Sequence, residues 1–552
     1  MSNSMFYTGL SGLNAAQAAL VTTGHNTANV NTPGYSRQTA QISASGGSNI
    51  PGVGFFGNGA KVTDVSRSYD QYLTSQLNQA QSTNQSLTTY GAQISQIDNL
   101  LANQTAGLAP QMQTLFTHVQ AVANTPADPS ARQQLIGSSQ ALANQFRTMD
   151  QYLTGLNASV NGQVSGMADQ INTYAGQIAS LNKQVAMFGN ASGTQAPNDL
   201  LDQREQLVSD LSKLVGTKVV VQDGGQFNVF IGNGQTLVLG GKATMLAAVN
   251  SASDPNRTTL AAINPAGKAV QLQEGMITGG ALGGLLQFRG ETLTAAQNSL
   301  GRIAISLSET FNTQQRAGFD LNGASGKNFF SQASPAVLSN ATNSQAAPVG
   351  ALTASFANIG KLTTSDYRVD ATGPSAYTVT RLSDNAPVTA DSTGAYDGLT
   401  LNFSGGVAGD SFLLQPTRAG ARDLAVVLID PAEVAAAGSP FTSTTGGVSD
   451  GSNALLLGAL QNKKTMAGGT ASFNDAYAQL VSTVGNKARQ VQISNTAQSS
   501  LTLQIRTAQQ SVSGVNQDEE TANLLMFQQM YQANAKVIQT ASTMFDAVLG
   551  IR

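Results

Sequence analysis

The sequence predicts a multidomain α+β protein. Long α-helices at the two termini pair as a coiled coil, an α-helical rod domain carries short β segments, and a central all-β domain is inserted. Three observations lead there. Apolar residues recur at 3–4 spacing along the last 30-odd residues and again from about 135 to 185, the helical period. Near Lys218 the period changes to two, the mark of strands. Residues 340–445 are rich in Thr, Ser and Gly with further period-two runs. The expected division is a terminal unit of 1–66 with 515–552, a rod domain of 67–339 with 446–514 whose β segment is 217–275, and an outer all-β domain of 340–445.

Composition narrows the function classes. The chain has 552 residues, enough for several cores and roughly three to four domains. Net charge is −3 and charged residues make up 11%, against about 25% in ordinary soluble domains. Neutral polar side chains therefore solvate the surface, and copies of the chain repel each other little. No clustered basic face indicates nucleic acid. The absence of Cys removes disulfides and thiolate metal sites. Residues 1–36 carry no Lys, Arg, Asp or Glu, so a cleaved secretory signal is not expected. No apolar run reaches the ~18 residues of a membrane span, and no membrane association is expected.

The first helix carries Leu10, Leu13, Gln17 and Leu20 on one stripe, with Ala15, Ala16, Ala18 and Ala19 permitting close approach. A turn follows at Asn31-Thr32-Pro33-Gly34, then strand-like Gln38–Ile42 and Ala60–Val65. Helical spacing resumes through Leu73, Leu77, Leu87, Ile94, Ile97 and Leu101. A longer helix starts with Asp128 as N-cap and Pro129 at the first helical position. Its stripe runs from Leu135 to Val185, about 50 residues or roughly 75 Å at 1.5 Å rise. Short strands are expected at Lys218–Val221, Phe227–Ile231 and Thr236–Leu239, broken by turns at Asp223-Gly224-Gly225 and Gly232-Asn233-Gly234. Helix returns over Gly284–Phe311, strands at Tyr377–Arg381 and Leu399–Phe403, and helix again over Ser472–Ser511.

The last helix is the most informative. Asn516 is the expected N-cap and Glu519 the partner of a capping box. The acidic cluster Asp518, Glu519 and Glu520 suits the positive end of the macrodipole, and Arg552 the negative end. Two stripes run beyond it. One is Leu524, Phe527, Tyr531, Asn534, Ile538, Ala541, Phe545 and Val548. The other is Met526, Met530, Ala533, Val537, Thr540, Met544, Ala547 and Ile551. A helix apolar on two faces needs two neighbours. The N-terminal helix supplies one, so the other stripe stays exposed in a monomer, as interaction sites are. Both termini are expected to be poorly ordered alone and to order on assembly.

Chemistry finds few footholds. His25 and His118 lack the company of a metal site. Gly52-Val53-Gly54-Phe55-Phe56-Gly57 fits G-x-G-x-x-G, but its setting is that of a hairpin and not of a strand opening a helix. Asp320-Leu321-Asn322-Gly323 lacks the Gly and Glu of a calcium loop and reads as a turn. No G-x-S-x-G and no thiol offer a nucleophile, so no catalytic, cofactor or metal residues are expected and the protein is read as a non-enzyme. Asp202 and Arg204 fit either charge-assisted bonds at a domain joint or a solvated helix face. Tyr367, Tyr377 and Tyr396 could line a sugar site or simply pack.

At two ends and two interior blocks the sequence resembles a known family. His25-Asn26-Thr27-Ala28-Asn29-Val30-Asn31-Thr32-Pro33-Gly34-Tyr35-Ser36-Arg37 is similar to the N-terminal signature of bacterial flagellar rod and hook axial proteins. Val515–Glu520 with Gln528–Ile538 resembles their C-terminal signature. Asn198-Asp199-Leu200-Leu201-Asp202-Gln203-Arg204 and Phe311-Asn312-Thr313-Gln314-Gln315 with Gly318–Gly323 resemble the hook-associated protein 1 family in particular. The residues that carry the motif are Asn26, Asn29, Asn31, Thr32, Gly34, Tyr35, Asn198, Asp202 and Arg204.

The resemblance implies a structural, extracellular component of the flagellum, exported by the flagellar type III apparatus. It implies a ring of subunits, commonly eleven, at the hook–filament junction. The implied partners are further copies of the chain, the hook protein, hook-associated protein 3 and an export chaperone of the FlgN type. Hook protein, flagellin or an adhesin built on the outer domain are the alternatives. The residues expected at the assembly interface are Leu10, Leu13, Leu20, Leu524, Phe527, Tyr531, Ile538 and Phe545.

Overall fold

A computed structural model of the chain describes residues 2–50, 54–103, 107–189, 196–222, 224–232, 234–345, 349–441 and 446–550. Pro51, Gly52 and Val53 of the glycine motif, Asp223 and Asn233 of the two turns, and Ile551 and Arg552 lie outside the described residues. Helices α1 (Ser2–Ala28) and α11 (Gln517–Leu549) pair at one end. Beside them β1 (Gln38–Ala44) pairs antiparallel with β4 (Ala60–Arg67). Within that loop β2 (Gly47–Ile50) pairs antiparallel with β3 (Gly54–Gly57), Ile50 facing Gly54. The glycine motif is thus part of a hairpin, with no helix opening from it.

The rod body is built on antiparallel helix pairing. α2 (Gln71–Leu101) starts under an Asp70 cap that accepts from the amides of Tyr72 and Leu73. It lies along α10 (Phe473–Ser513), with Thr88 Oγ1 donating to Asn495 Oδ1 at 3.1 Å and the Tyr477 hydroxyl to the Leu101 carbonyl at 2.9 Å. α3 (Leu108–Asn124) leads to α4 (Pro129–Gly189), where Asp128 Oδ1 accepts from the Ser130 amide at 2.9 Å. At 61 residues α4 outlasts the expected stripe, and at 1.5 Å per residue it is about 90 Å long. Leu142, Phe146, Met149, Leu153, Val160, Val164, Ile171 and Ile178 of its stripe are fully buried.

α5 (Asn198–Leu214) returns along α4. The β segment follows as a four-stranded antiparallel meander, β5 (Thr217–Val221), β6 (Phe227–Ile231), β7 (Gln235–Leu239) and β8 (Lys242–Ala243). A three-stranded sheet, β9 (Leu246–Asn250), β10 (Thr258–Ile263) and β11 (Ala269–Gln271), lies next to it in sequence. α6 (Gly280–Gln287) runs through a π-helical turn, Phe288–Leu293, into α7 (Thr294–Arg316). The wider turn carries Arg289, which is buried and donates to Glu274 Oε1 at 2.7 Å and Asn161 Oδ1 at 2.9 Å.

The outer unit is antiparallel throughout. Its five-stranded sheet runs β12 (Ala336–Ser339), β18 (Ser411–Gln415), β14 (Tyr367–Gly373), β15 (Ala376–Arg381), β16 (Ala386–Val388). β13 (Ala351–Phe356) and β17 (Leu399–Ser404) form a separate pair. The strands therefore end at Gln415, well short of 445. After α8 (Gly420–Asp423) the chain turns back into the rod body, where Ala421, Leu424, Leu428, Val434 and Ala436 join its apolar core. This stretch lacks the period-two alternation of a strand, and its carbonyls are met by an arginine instead. Arg132 is 1% exposed; Nε donates to the Pro126 carbonyl at 2.6 Å, and Nη1 to those of Pro431 at 3.1 Å and Val434 at 2.6 Å. Burial lowers its guanidinium to about 10, with Asp320 pulling the other way. α9 (Ser452–Ala459) and α10 complete the body.

Arg132→Ala should leave three buried carbonyls without this donor and cost about 3 kcal/mol of stability. Urea denaturation checks this, with Arg147→Ala on the same helix expected to change stability by less than about 0.5 kcal/mol.

Candidate assembly interface

The terminal pair is antiparallel and close. A β-carbon on Gly9 would lie 2.9 Å from Ile538 Cγ1, and one on Gly12 would lie 2.3 Å from Asn534 Oδ1. Asn26 meets Glu520 further along. The face that α1 turns to α11 is therefore its small-residue face, and Gly9, Ala15, Ala16, Ala19, Thr22, Thr23 and Asn26 are buried. This corrects the expectation that Leu10, Leu13 and Leu20 make the pairing stripe. Leu10 is exposed and Leu13 and Leu20 are half-buried, because helices approach this closely only where side chains are small.

On α11 the stripe containing Asn534 is the one covered. Ala541 is buried, and Phe527 and Ile538 are half-buried. Leu524, Tyr531 and Phe545 remain more than a third exposed, since the narrow face of α1 does not span the stripe. The second stripe is largely open, with Met526, Met530 and Met544 exposed; Val537 is exposed too, but its Cγ1 would lie 3.2 Å from a β-carbon on Gly9. The N-cap is Asn516, whose Oδ1 accepts from the Asp518 amide at 3.0 Å. The capping box is not formed: Glu519 turns to Arg37 Nη1 at 3.7 Å.

Glu520 does what its acidic neighbours do not. It is 1% exposed; Oε2 accepts from Asn26 Nδ2 at 3.0 Å and Oε1 from Arg37 Nε at 2.8 Å. Asn26 in turn is held in the backbone of β1. Its Nδ2 donates to the Gln38 carbonyl at 2.8 Å and its Oδ1 accepts from the Gln38 amide at 2.9 Å. The Tyr35 hydroxyl also donates to Asn26 Oδ1, at 2.8 Å, and lies 3.0 Å from His25 Nδ1. Burial pushes the Tyr35 phenol well above its usual range, helped by Asp199, Asp202 and Glu520. The turn between is shaped by Asn29, whose Nδ2 donates to the His25 carbonyl and whose Oδ1 accepts from Thr32 Oγ1. Gly34 adopts φ +79°, where its missing β-carbon would strike Gln206. Asn31 is exposed.

α5 closes the joint from the other side. Asp202 accepts from the Ser36 amide at 2.7 Å, Ser36 Oγ at 2.9 Å and Arg67 Nη1 at 2.8 Å. Arg67 Nη2 reaches Glu205 Oε1 at 2.5 Å. Burial pushes the Asp202 and Glu205 carboxyls up against the pull of these donors. Arg67 feels the same burial, but Glu205 and Asp202 outweigh it and hold the guanidinium above its ordinary value. Asn198 Nδ2 donates to the Val65 carbonyl at 2.6 Å, and Gln38 Nε2 to Asp199 Oδ1 at 2.8 Å.

Arg204 faces the opposite way on α5. It is 2% exposed, stacks 3.6 Å over the Phe227 ring, and donates to Asn182 Oδ1 and the Gly225 carbonyl. Burial lowers its guanidinium to about 10, the charges around it being secondary. Asp202 and Arg204 are thus both joint residues, serving two different joints, and neither lies on a solvated face.

Sequence reasoning missed Ser36, Arg37, Gln38, Arg67, Glu205 and Glu520. Ser36 and Arg37 stand in the block that resembles the N-terminal signature, and Glu520 continues the stripe of Leu524 and Phe527 by one helical turn; the others carried no signal. Elsewhere the tyrosines of the outer unit take the packing role. Tyr367 is 1% exposed and bonded to Thr363 and Asp397. Tyr377 packs 5.9 Å from Tyr396 and 5.8 Å from Phe403. Asp320 Oδ1 accepts from the amides of Asn322 and Ala324, a turn as read. Among the described residues no group of three or more His, Asp or Glu is placed to hold a metal, and no helix is long and apolar enough to cross a membrane.

Four family models match. "Flagella basal body rod protein" covers residues 6–35 and "Flagellar basal body rod FlgEFG protein C-terminal" residues 508–551. "Flagellar hook-associated protein FlgK helical domain" covers 94–330, and "Flagellar hook-associated protein 1, D2-like domain" covers 338–416, close to the limits of the outer sheet. The flagellar hook-associated protein 1 of Escherichia coli K12 is 43% identical over 555 residues, spanning 100% of both chains. That of Salmonella typhimurium is 44% identical over 98% of this chain and 99% of its own. That of Bacillus subtilis is 25% identical over 97% and 96%. The solved structure of the flagellar hook junction protein FlgK from Burkholderia pseudomallei superposes with a TM-score of 0.73 at 32% identity, covering 80% of this chain and 100% of that one.

Asp202→Ala should strand Arg67 and the Ser36 amide and cost about 3 kcal/mol. Glu519→Ala, at an exposed pair, should cost less than about 0.5 kcal/mol. Chemical denaturation with amide exchange read at Ser36 distinguishes the two.

Proposed function

The chain belongs to the flagellar hook-associated protein 1 family, and on that premise we propose that it is a structural adaptor of the hook–filament junction. Copies polymerise as a ring at the hook tip, between hook protein and hook-associated protein 3, and provide the surface on which the filament grows. Its role is geometric and not catalytic. The chain leaves the cell through the flagellar export apparatus, and an export chaperone of the FlgN type holds its C-terminal region beforehand.

The observation that carries this reading is the open stripe of α11. Met526, Met530, Val537 and Met544 stand exposed along a helix whose adjacent stripe is already partly paired. Leu10 of α1, with Leu524, Tyr531 and Phe545, widens the uncovered apolar surface. Burying such surface against neighbouring copies yields roughly 25 cal/mol per Å², so a ring supplies what the monomer leaves unmet. The few charges on the chain lower the electrostatic cost of packing identical subunits side by side.

Cells lacking the gene should build hooks without filaments and release flagellin into the medium. A chain ending before residue 521 should fail to restore them. Electron microscopy of the hooks and immunoblotting of the medium give the readout. Filament growth on the truncated chain would sink the proposal.

A further inference from the structure

Arg302 of α7 lacks the company that the other inward-turned arginines keep. Arg132 is met by three carbonyls, Arg289 by Glu274 and Asn161, and Arg67 by two carboxylates. Arg302 is half-buried, and its one acceptor among the described residues is the Leu362 carbonyl, 3.2 Å from Nη1. Its Nε is buried and meets no acceptor. Burial lowers the guanidinium, and no neighbouring acid offsets that. A cation drawn out of water without a counter-charge is costly, and folded chains pair such groups.

The groove that Arg302 closes is a second observation. α7 and α10 line it, and its volume is about 370 Å³. The floor is apolar, with Ala296, Leu480 and Val484 buried. Thr364, from the segment that leads into β14, stands at the Arg302 end, where its carbonyl accepts from Asn298 Nδ2 at 3.1 Å. At the far end Lys487 Nζ lies 3.0 Å from Glu291 Oε2. Glu291 and Arg302 are 11 residues apart, roughly 16 Å of helix.

We propose that this groove binds a small monocarboxylate with an apolar body, its carboxylate on Arg302 and its body along Ala296, Leu480 and Val484. The charges set the class of ligand. The guanidinium has donors to spare for a carboxylate, the geometry that arginine matches best. Lys487 is already neutralised, and Glu291 repels a second anionic group at that end. The size sets the scale. A volume of this order suits a small ligand, whereas a helix of another chain is about 10 Å across with its side chains. An occupant would touch α7, α10 and the entry to the outer unit together. The inference stands apart from the assembly reading and is tested on the isolated full-length chain.

Octanoate is the probe, with octan-1-ol as the body without the charge and acetate as the charge without the body. Calorimetric titration of the native chain should show one octanoate per chain, with both other probes at least about tenfold weaker. Arg302→Gln should weaken octanoate at least about tenfold and leave octan-1-ol unchanged. Arg302→Lys, which keeps the charge, should recover part of the loss. Thr483 lies on the exposed rim of the groove, so Thr483→Trp should fill it and block octanoate without disturbing the core. Thermal denaturation of each variant confirms that it folds as the native chain does.

Octanoate binding that survives Arg302→Gln would overturn the proposal, as would octan-1-ol bound as tightly as octanoate. Failure of octanoate to bind the native chain at millimolar concentration would overturn it too. If that failure came with self-association that Arg302→Gln removes, the acid that Arg302 lacks would be a side chain of a second copy.

Discussion

Asp202 accepts from the Ser36 amide, the Ser36 hydroxyl and Arg67, and through those three donors the terminal unit is held to the rod body. The attachment is polar in a strict sense. Among the described residues none from 1–67 or 514–550 belongs to either apolar core. An apolar contact is nondirectional and tolerates rotation, whereas a carboxylate with fixed donors does not. Charge-assisted bonds contribute roughly 1.5–3 kcal/mol each, and several together set an angle as well as a strength. The joint needs this, because an error in its angle grows along the 33 residues of α11.

The low overall charge becomes intelligible from the same viewpoint. Several of the chain's charges are internal fasteners. Arg132 binds backbone carbonyls, Arg204 stacks on Phe227, Arg289 reaches Glu274, and Arg67 bridges two carboxylates. The outer unit is fastened in the same manner: Arg418 contacts Asn298 and Asp366, and Asn298 in turn donates to Asp366. With these charges turned inward, the surface is left largely to neutral amides and hydroxyls. Such a surface is soluble without being self-repelling.

Periodicity made most of the helices and several strands legible, because it reports which face of an element is apolar. It located α4, both stripes of α11 and the strands at 218–239. The joint was harder to read, because its partners are far apart in sequence. Arg67 meets Asp202 and Glu205 across some 135 residues, and Asn26 meets Glu520 across 494. The block Asn198–Arg204 drew notice, yet its composition could not say that Asp202 and Arg204 face opposite joints. The small face of α1 was legible in part, through Ala15, Ala16 and Ala19, but Gly9 and Gly12 were not, since they carry no apolar signal and act by what they lack. The return of 417–437 to the body was hidden for a related reason. Its Ala, Leu and Val residues follow neither helical nor strand period, and Arg132, which satisfies its carbonyls, sits some 300 residues earlier.

Covering one stripe of α11 and leaving the other open divides the stability of that helix in two. Pairing with α1 fixes its register through Asn26 and Gly12, and this needs no other copy of the chain. The remaining apolar surface is unsatisfied, so water destabilises the helix along one side until something covers it. A helix fully satisfied in the monomer would gain little from assembly, and one with neither stripe covered would have no fixed face to offer. The intermediate state holds a defined surface at low stability. It suits the adaptor role proposed above, in which neighbouring copies cover the surface that a single chain leaves open.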